Sequence, residues 1–273
     1  MDAPIDRRRM RLVAVVALAS VVACALLIGL STSAEAGGNQ LRPDLVTLPI
    51  EKHDLVLEKV VKRKLLRLSN EVANRGTGPL EVTSAPPTGS CADGERDAVQ
   101  VTYLESNGQP GFQRGADTTS ESERFGCMEY HAAPGHDHWH VLDFAKYELL
   151  RERKGTRATA QKVGFCVIDS NAAFPSLPGA PDERHYSGGC GGPGVEPTEE
   201  GLSVGWADIY FFGLPGQSLR INGLNRGRYC LRSTADPTNL ITEANESNNA
   251  TEVRLKLRPR KLRARPLKGA CKL

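Results

Sequence analysis

Short stretches in which apolar and polar residues alternate, each closed by glycine, proline or asparagine, run through most of this chain and limit what it can become. Leu66, Leu68, Asn70 and Val72 alternate with Arg67, Ser69 and Glu71, and the run stops at Asn74-Arg75-Gly76-Thr77-Gly78. A period of two sends successive side chains to opposite faces of an extended backbone. The same pattern marks residues 99–104, 138–149, 163–168, 206–212, 218–221, 229–232 and 251–257. With 27 glycines and 17 prolines among 273 residues, long helices have little room. Many short strands joined by turns predict an all-β fold, an antiparallel β-sandwich with little helix. Residues 55–64 could supply one short helix, but their β-branched valines suit a strand equally well.

Residues 85–97, 106–126 and 171–200 concentrate the glycines and prolines outside these strands and read as long loops. Cys91, Cys127, Cys166 and Cys190 lie in or beside them, which predicts disulfides bracing loops around a site.

The N-terminus indicates the compartment. Arg7, Arg8, Arg9 and Arg11 precede an apolar run over residues 12–30, and Ala34-Glu35-Ala36 has the small-x-small form of a cleavage site. Residues 1–36 therefore read as a secretory signal peptide. Left uncleaved, the run over residues 12–30 is long enough for an N-terminal membrane anchor. A lipoprotein cut before Cys24 fits less well, because the residues that follow it are apolar. Every version places the remainder outside the cytoplasm, where disulfides persist. Cys24 is one of seven cysteines, so six remain beyond residue 36: Cys91, Cys127, Cys166, Cys190, Cys230 and Cys271. Their connectivity is not deducible from sequence; Cys230 with Cys271 is the preferred pair, since it ties the C-terminal tail back.

The formal net charge of +3 hides an asymmetry. The first 36 residues carry four arginines and three acids, leaving +2 on the rest. Residues 254–273 hold nine basic residues and no acid, so residues 37–253 carry −7. Such a tail solvates the chain or attracts it to an anionic envelope surface. It lacks the interleaved aromatics of nucleic-acid binders, and no nucleic-acid partner is expected.

The strongest chemical signal is His136-Asp137-His138-Trp139-His140. On an extended backbone the three histidines share one face at intervals of ~6.5–7 Å, close enough for their nitrogens to converge on one ion. Imidazole suits copper, zinc, iron or nickel. His131, five residues earlier, is a further candidate for the same cavity, with ordinary packing as its alternative.

The histidine run continues Val141-Leu142-Asp143-Phe144-Ala145-Lys146-Tyr147-Glu148-Leu149-Leu150 and resembles the copper-binding segment of the lysyl oxidase family. Other stretches resemble that family in the same order. They are Arg42-Pro43-Asp44-Leu45, the strand and turn over residues 66–77, Lys162-Val163-Gly164-Phe165-Cys166, Gly201-Leu202-Ser203-Val204-Gly205, Ala207-Asp208-Ile209-Tyr210 and Asn245-Glu246-Ser247-Asn248-Asn249. The resemblance spans about residues 41–273. It implies His136, His138 and His140 as copper ligands, and Lys162 and Tyr210 as the pair that becomes lysyl tyrosylquinone. A lysine needs desolvation or a nearby cation to act as a nucleophile. The implied activity is oxidation of primary amines, on peptidyl lysine or small alkylamines, by molecular oxygen. Aldehyde, ammonia and hydrogen peroxide are released, with the quinone as electron sink. Asp208, two residues before Tyr210 and on its strand face, is the candidate general base; orienting an imidazole or capping a turn are its alternatives.

The implied organisation is a leader over residues 1–36, a catalytic β domain over 37–257 and a basic tail over 258–273. Trp206 and Phe211 depart from the family, standing where its larger members are richer in cysteine. Two other readings use the same residues. One is a secreted zinc hydrolase with Glu148 or Asp137 as base. The other is a non-catalytic metal-binding β-sandwich module of the cell envelope.

Overall fold

The computed structural model describes residues 39–273 apart from residues 134, 135 and 156. The expected leader or anchor over residues 1–36 lies outside the described residues. Among the described residues no helix is long and apolar enough to cross a membrane.

The strands, in chain order, are β1 (Gln40–Leu41), β2 (Leu45–Thr47), β3 (Leu55–Val60), β4 (Arg63–Leu68), β5 (Asn70–Asn74), β6 (Leu80–Ala85), β7 (Arg96–Leu104), β8 (Thr118–His131) and β9 (His138–Arg151). They continue with β10 (Arg157–Phe165), β11 (Asn171–Ala172), β12 (Glu199–Leu202), β13 (Trp206–Tyr210), β14 (Ser218–Arg220), β15 (Gly227–Ala235), β16 (Ala250–Arg258) and β17 (Arg263–Pro266). All recorded pairings are antiparallel. The largest sheet has 10 strands, in the order β12-β6-β7-β8-β9-β15-β16-β17, with β1 on β7 and β10 on β9. A four-stranded sheet runs β11-β13-β5-β2, and a three-stranded sheet runs β14-β4-β3. The all-β expectation holds.

One core joins the sheets. Leu66 and Leu68 from β4, Val72 from β5, Leu80 from β6, Tyr147 and Leu149 from β9 and Leu255 and Leu257 from β16 are all fully buried in it. Removing these side chains from water is the main term favouring the fold. The disulfides are Cys91–Cys127, Cys166–Cys190 and Cys230–Cys271, the last as preferred from the sequence. The basic tail adds β17 to the edge of the large sheet through β16.

Two local readings change. Residues 106–126 are not all loop, because Thr118 onward is the first part of β8. That strand is exposed along most of its length, so it lacks the alternation that marks a half-buried strand. Its pairing with β7 is a backbone interaction, indifferent to side-chain polarity. The alternating run over residues 66–72 is two strands in different sheets, broken at Ser69. There the Ser69 N–H donates to the Asp54 carbonyl (2.9 Å) and its Oγ accepts from the Phe212 N–H (3.2 Å). Of the two readings open for residues 55–64 the strand holds: they are β3, a turn at Val61 and Lys62, and the start of β4, with Val61 in the left-handed region (φ 54°).

Strand β9 positions the site. Its first residues pair with β8, with His138 opposite His131 and His140 opposite Glu129. From Ala145 onward the same edge pairs with β15, while β10 lies along the other edge. At the changeover Asp143 takes a positive φ of 55°, an uncommon conformation for a residue with a side chain. Opposite it, β10 shifts register between Val163 and Phe165, at Gly164. A Cβ on Gly164 would sit 3.1 Å from the His140 Cβ. A side chain at this position would force β10 and the histidine strand apart by a few tenths of an ångström.

Candidate metal centre

The three motif histidines come together, though not as one regular strand face. Strand β9 begins at His138, and His136 reaches the cluster from the preceding turn, where its N–H donates to the Ala133 carbonyl (2.8 Å). Ring centroids lie 5.0 Å apart for His136 and His140, and 4.9 Å for His138 and His140. The Nε2 atoms of His138 and His140 are 3.1 Å apart. His131 joins them, its centroid 5.5 Å from His136 and 5.3 Å from His140. His131, the further candidate named from the sequence, arrives through the β8–β9 register.

His136 and His140 are buried, at 3% and 5% exposure. Burial first, then the neighbouring imidazoles His138, His136 and His131, pushes His140 down to about 3. Burial and neighbouring imidazoles lower His136 and His138 in the same way. At neutral pH these rings are uncharged and present lone pairs, as metal ligation requires. A nitrogen-only set of converging neutral imidazoles fits copper or zinc.

Tyr210, at the end of β13, lies beside this cluster. Its ring centroid is 6.4 Å from those of both His136 and His140. The ring stacks on Phe165 (3.7 Å, 12°), and its oxygen accepts a 2.6 Å hydrogen bond from the Cys166 N–H. Burial and the nearby Asp208 raise the phenol well above its usual range, so it stays neutral. Phe165 and Cys166 belong to the Lys-x-x-Phe-Cys stretch and anchor the tyrosine in space.

Lys162 lines a cavity of about 430 Å³ with Glu129, His131, His136, His140 and Asp143. It is 46% exposed, and its Nζ is 2.5 Å from Asp143 Oδ2. Lys162 therefore shares the cavity with the histidines but is paired with a carboxylate. The desolvation that would single it out as a nucleophile is lacking, and joining it to Tyr210 requires leaving Asp143. Asp143 is a site residue that sequence reasoning passed over; an acid three residues after the last motif histidine was its only signal.

Asp208 is 1% exposed and faces Tyr210 along β13. Its Oδ1 accepts from Ser170 Oγ (2.9 Å), and its Oδ2 has no hydrogen-bond partner. Burial pushes this carboxyl up to about 8. Glu200, likewise buried and raised to about 8 by burial and then by Asp208, has an orphaned Oε1 and helps to raise Tyr210. The imidazole-orienting alternative for Asp208 finds no histidine among its hydrogen bonds.

Neither carboxylate named for zinc hydrolysis serves the cluster well. Glu148 lies eight residues beyond His140 on the same strand, about 27 Å away at ~3.4 Å per residue. Asp137 accepts a 2.5 Å hydrogen bond from the Tyr130 hydroxyl.

Two partners hold the histidine segment from outside. The Trp139 N–H donates to the Cys190 carbonyl (2.8 Å), and its indole N–H donates to the Val195 carbonyl (3.1 Å). Asp169, fully buried, accepts from the backbone N–H groups of His185, Tyr186 and Ser203 and from Ser203 Oγ, pinning the long 171–200 connection.

The family model described as Lysyl oxidase matches residues 113–265, which contain every residue of this cluster. Lysyl oxidase homolog 4 of Mus musculus is 24% identical over 200 residues, covering 70% of this chain and 24% of the mouse protein. Lysyl oxidase homolog 1 of Homo sapiens is 28% identical over 123 residues, covering 44% of this chain and 19% of the human protein. Protein-lysine 6-oxidase of Rattus norvegicus is 29% identical over 130 residues, covering 47% of this chain and 28% of the rat protein. The matched stretch is thus under a third of the length of each of these relatives.

Proposed function

The chain belongs to the lysyl oxidase family, and from that membership we propose that it is an extracytoplasmic copper- and quinone-dependent oxidase of primary amines. One amine, one oxygen molecule and one water give an aldehyde, ammonia and hydrogen peroxide. The observation that carries the reading is the gathering of neutral imidazoles beside the ring of Tyr210, two of which, His136 and His140, line a cavity together with Lys162.

His136, His138 and His140 would hold the copper. Bound copper supplies one-electron chemistry with oxygen, and lysyl tyrosylquinone, made from Tyr210 and Lys162, supplies a two-electron sink that no ordinary side chain offers. The chain's own residues orient and protect. The Cys166 N–H and the Phe165 ring fix the plane of Tyr210. Asp143 holds the Lys162 ammonium at the cavity rim until it reacts. Asp208 takes the proton lost from the substrate carbon; a carboxyl raised to about 8 holds such a proton near neutral pH.

The test is a peptide map of protein loaded with copper in air. A cross-linked peptide containing Lys162 and Tyr210, with visible quinone absorbance, is expected. Separate unmodified peptides from fully loaded, oxygen-exposed protein would defeat the reading.

The substrate class is a primary amine, either a lysine side chain of a protein or a small alkylamine. An anionic envelope surface is the proposed docking partner. Arg228, Lys256 and Arg265 stand directly opposite one another across β15, β16 and β17, and Arg258 faces Arg263. Like charges in register oppose pairing, and an anionic surface relieves them. The protein is expected to sediment with anionic vesicles at low salt, and a Lys256→Glu/Arg265→Glu variant to lose that binding. Equal sedimentation of both proteins would count against the surface.

A further inference from the structure

We propose that Glu200 is a positioning residue for Asp208, the two buried carboxyls holding their protons as one pair beside Tyr210. What Asp208 does in catalysis rests on the reading above, whereas the pairing is a property of the unmodified chain. The five residues between β10 and β11 bring the groups together. Cys166 gives its N–H to the Tyr210 oxygen (2.6 Å), Val167 gives its N–H to Glu200 Oε2 (2.9 Å), and Ser170 gives its hydroxyl to Asp208 Oδ1 (2.9 Å). The same segment is fastened to both strands that bear the acids. Gly201 of β12 donates its N–H to the Val167 carbonyl (2.8 Å), and the Ser170 N–H donates to the Ala207 carbonyl of β13 (2.9 Å). Glu200 and Asp208 are 0% and 1% exposed. Each keeps one oxygen, Oε1 and Oδ2, without a hydrogen-bond partner.

A pin for the segment does not account for this arrangement. An amide oxygen would accept the Val167 N–H as well as a carboxylate does, and a buried carboxylate beside a second acid is costly. A proton on the free oxygen removes that cost. Burial, with Asp208 adding to it for Glu200, raises both acids to about 8. Asp169 also faces Asp208 and raises it, while the phenols of Tyr210 and Tyr147 face it from β13 and β9 and stay neutral. Two interacting acids lose their protons in two steps that belong to the pair. Ionisation of Glu200 therefore delays that of Asp208, which holds a proton to a higher pH than it would alone.

The experiment follows the carboxylic-acid infrared bands of the metal-free full chain against pH, with carbon-13 in either the aspartate or the glutamate carboxyls. Glu243, also raised to about 8, adds to the glutamate band, so the aspartate band is the main readout. In Glu200→Gln the Asp208 band is expected to vanish at a pH lower by about one unit or more. The rising limb of the amine-oxidation rate moves down with it. Ser170→Ala removes a hydrogen bond that favours the ionised form, and is expected to move the Asp208 band the opposite way. A disturbance of structure alone does not produce opposite shifts. An unmoved Asp208 band in Glu200→Gln would overturn the proposal, as would shifts of the same sign in both variants. Asp208→Asn is the reciprocal variant and is expected to lower the Glu200 titration by an equal amount. No shift there would overturn the pairing even where Glu200→Gln does not fold. The bands are read without copper or quinone, so their outcome is independent of the amine-oxidase reading. A shifted band with an unmoved rate limb would uphold the pair and remove Asp208 as the base.

Discussion

Tyr210→Phe is expected to abolish amine oxidation, a loss beyond about 10³-fold, because no remaining side chain can serve as electron sink. The substitution removes one oxygen and little else. The ring keeps its stack on Phe165 and its place 6.4 Å from His136 and His140. Leaving the Cys166 N–H without its acceptor costs about 1–3 kcal/mol, small enough for the fold and copper binding to persist. Lys162→Arg separates chemistry from structure in a second way. An arginine can keep the ion pair with Asp143 but cannot supply the amine, and activity again falls to background. Asp208→Asn is expected to be milder, at ~10²–10⁴-fold. The parent's rate rises with pH as Asp208 ionises toward its raised value of about 8, and Asn removes that limb. Hydrogen peroxide release and copper content are measured together. Copper-loaded Tyr210→Phe that still turns over an amine, or Lys162→Arg at full rate, would sink the cofactor assignment.

The parts of this protein that were readable from sequence are those where local pattern and burial coincide. Strands β15 and β16 each bury one face, and their alternation survives into the structure. Strand β8 buries almost nothing, so its existence depends on β7 and its side chains say nothing about it. At Ser69 the apolar rhythm continues unbroken while the chain changes sheets, because the change is made by Asp54 and Phe212. The site divides in the same way. His136, His138 and His140 are visible through their spacing. His131 is suggested by its nearness to the motif, but its place opposite His138 comes from pairing register, and Asp143 depends on one left-handed backbone residue; neither is a local property.

The Cys166–Cys190 disulfide ties both halves of the site together, and its removal has the second large expected effect. Cys166 donates its N–H to Tyr210, and Cys190 accepts the N–H of Trp139, between two motif histidines. A crosslink spanning 24 residues restricts the unfolded chain by about 3 kcal/mol in the chain-entropy view. For a domain of this size that is roughly 6–12 °C in Tm. Cys166→Ser/Cys190→Ser is therefore expected to melt lower and also to bind copper more weakly, because the histidine strand loses its outer brace. Cys230→Ser/Cys271→Ser is the comparison, since it spans 41 residues and predicts at least as large an entropic loss. Those cysteines tie the tail to β15, away from the histidines, so its Tm is expected to fall while copper affinity holds. Calorimetry and copper competition on the two variants distinguish a general staple from a brace on the site. Equal copper loss in both, or parental copper affinity in the Cys166→Ser/Cys190→Ser protein, would show that the disulfide does not hold the histidines in place.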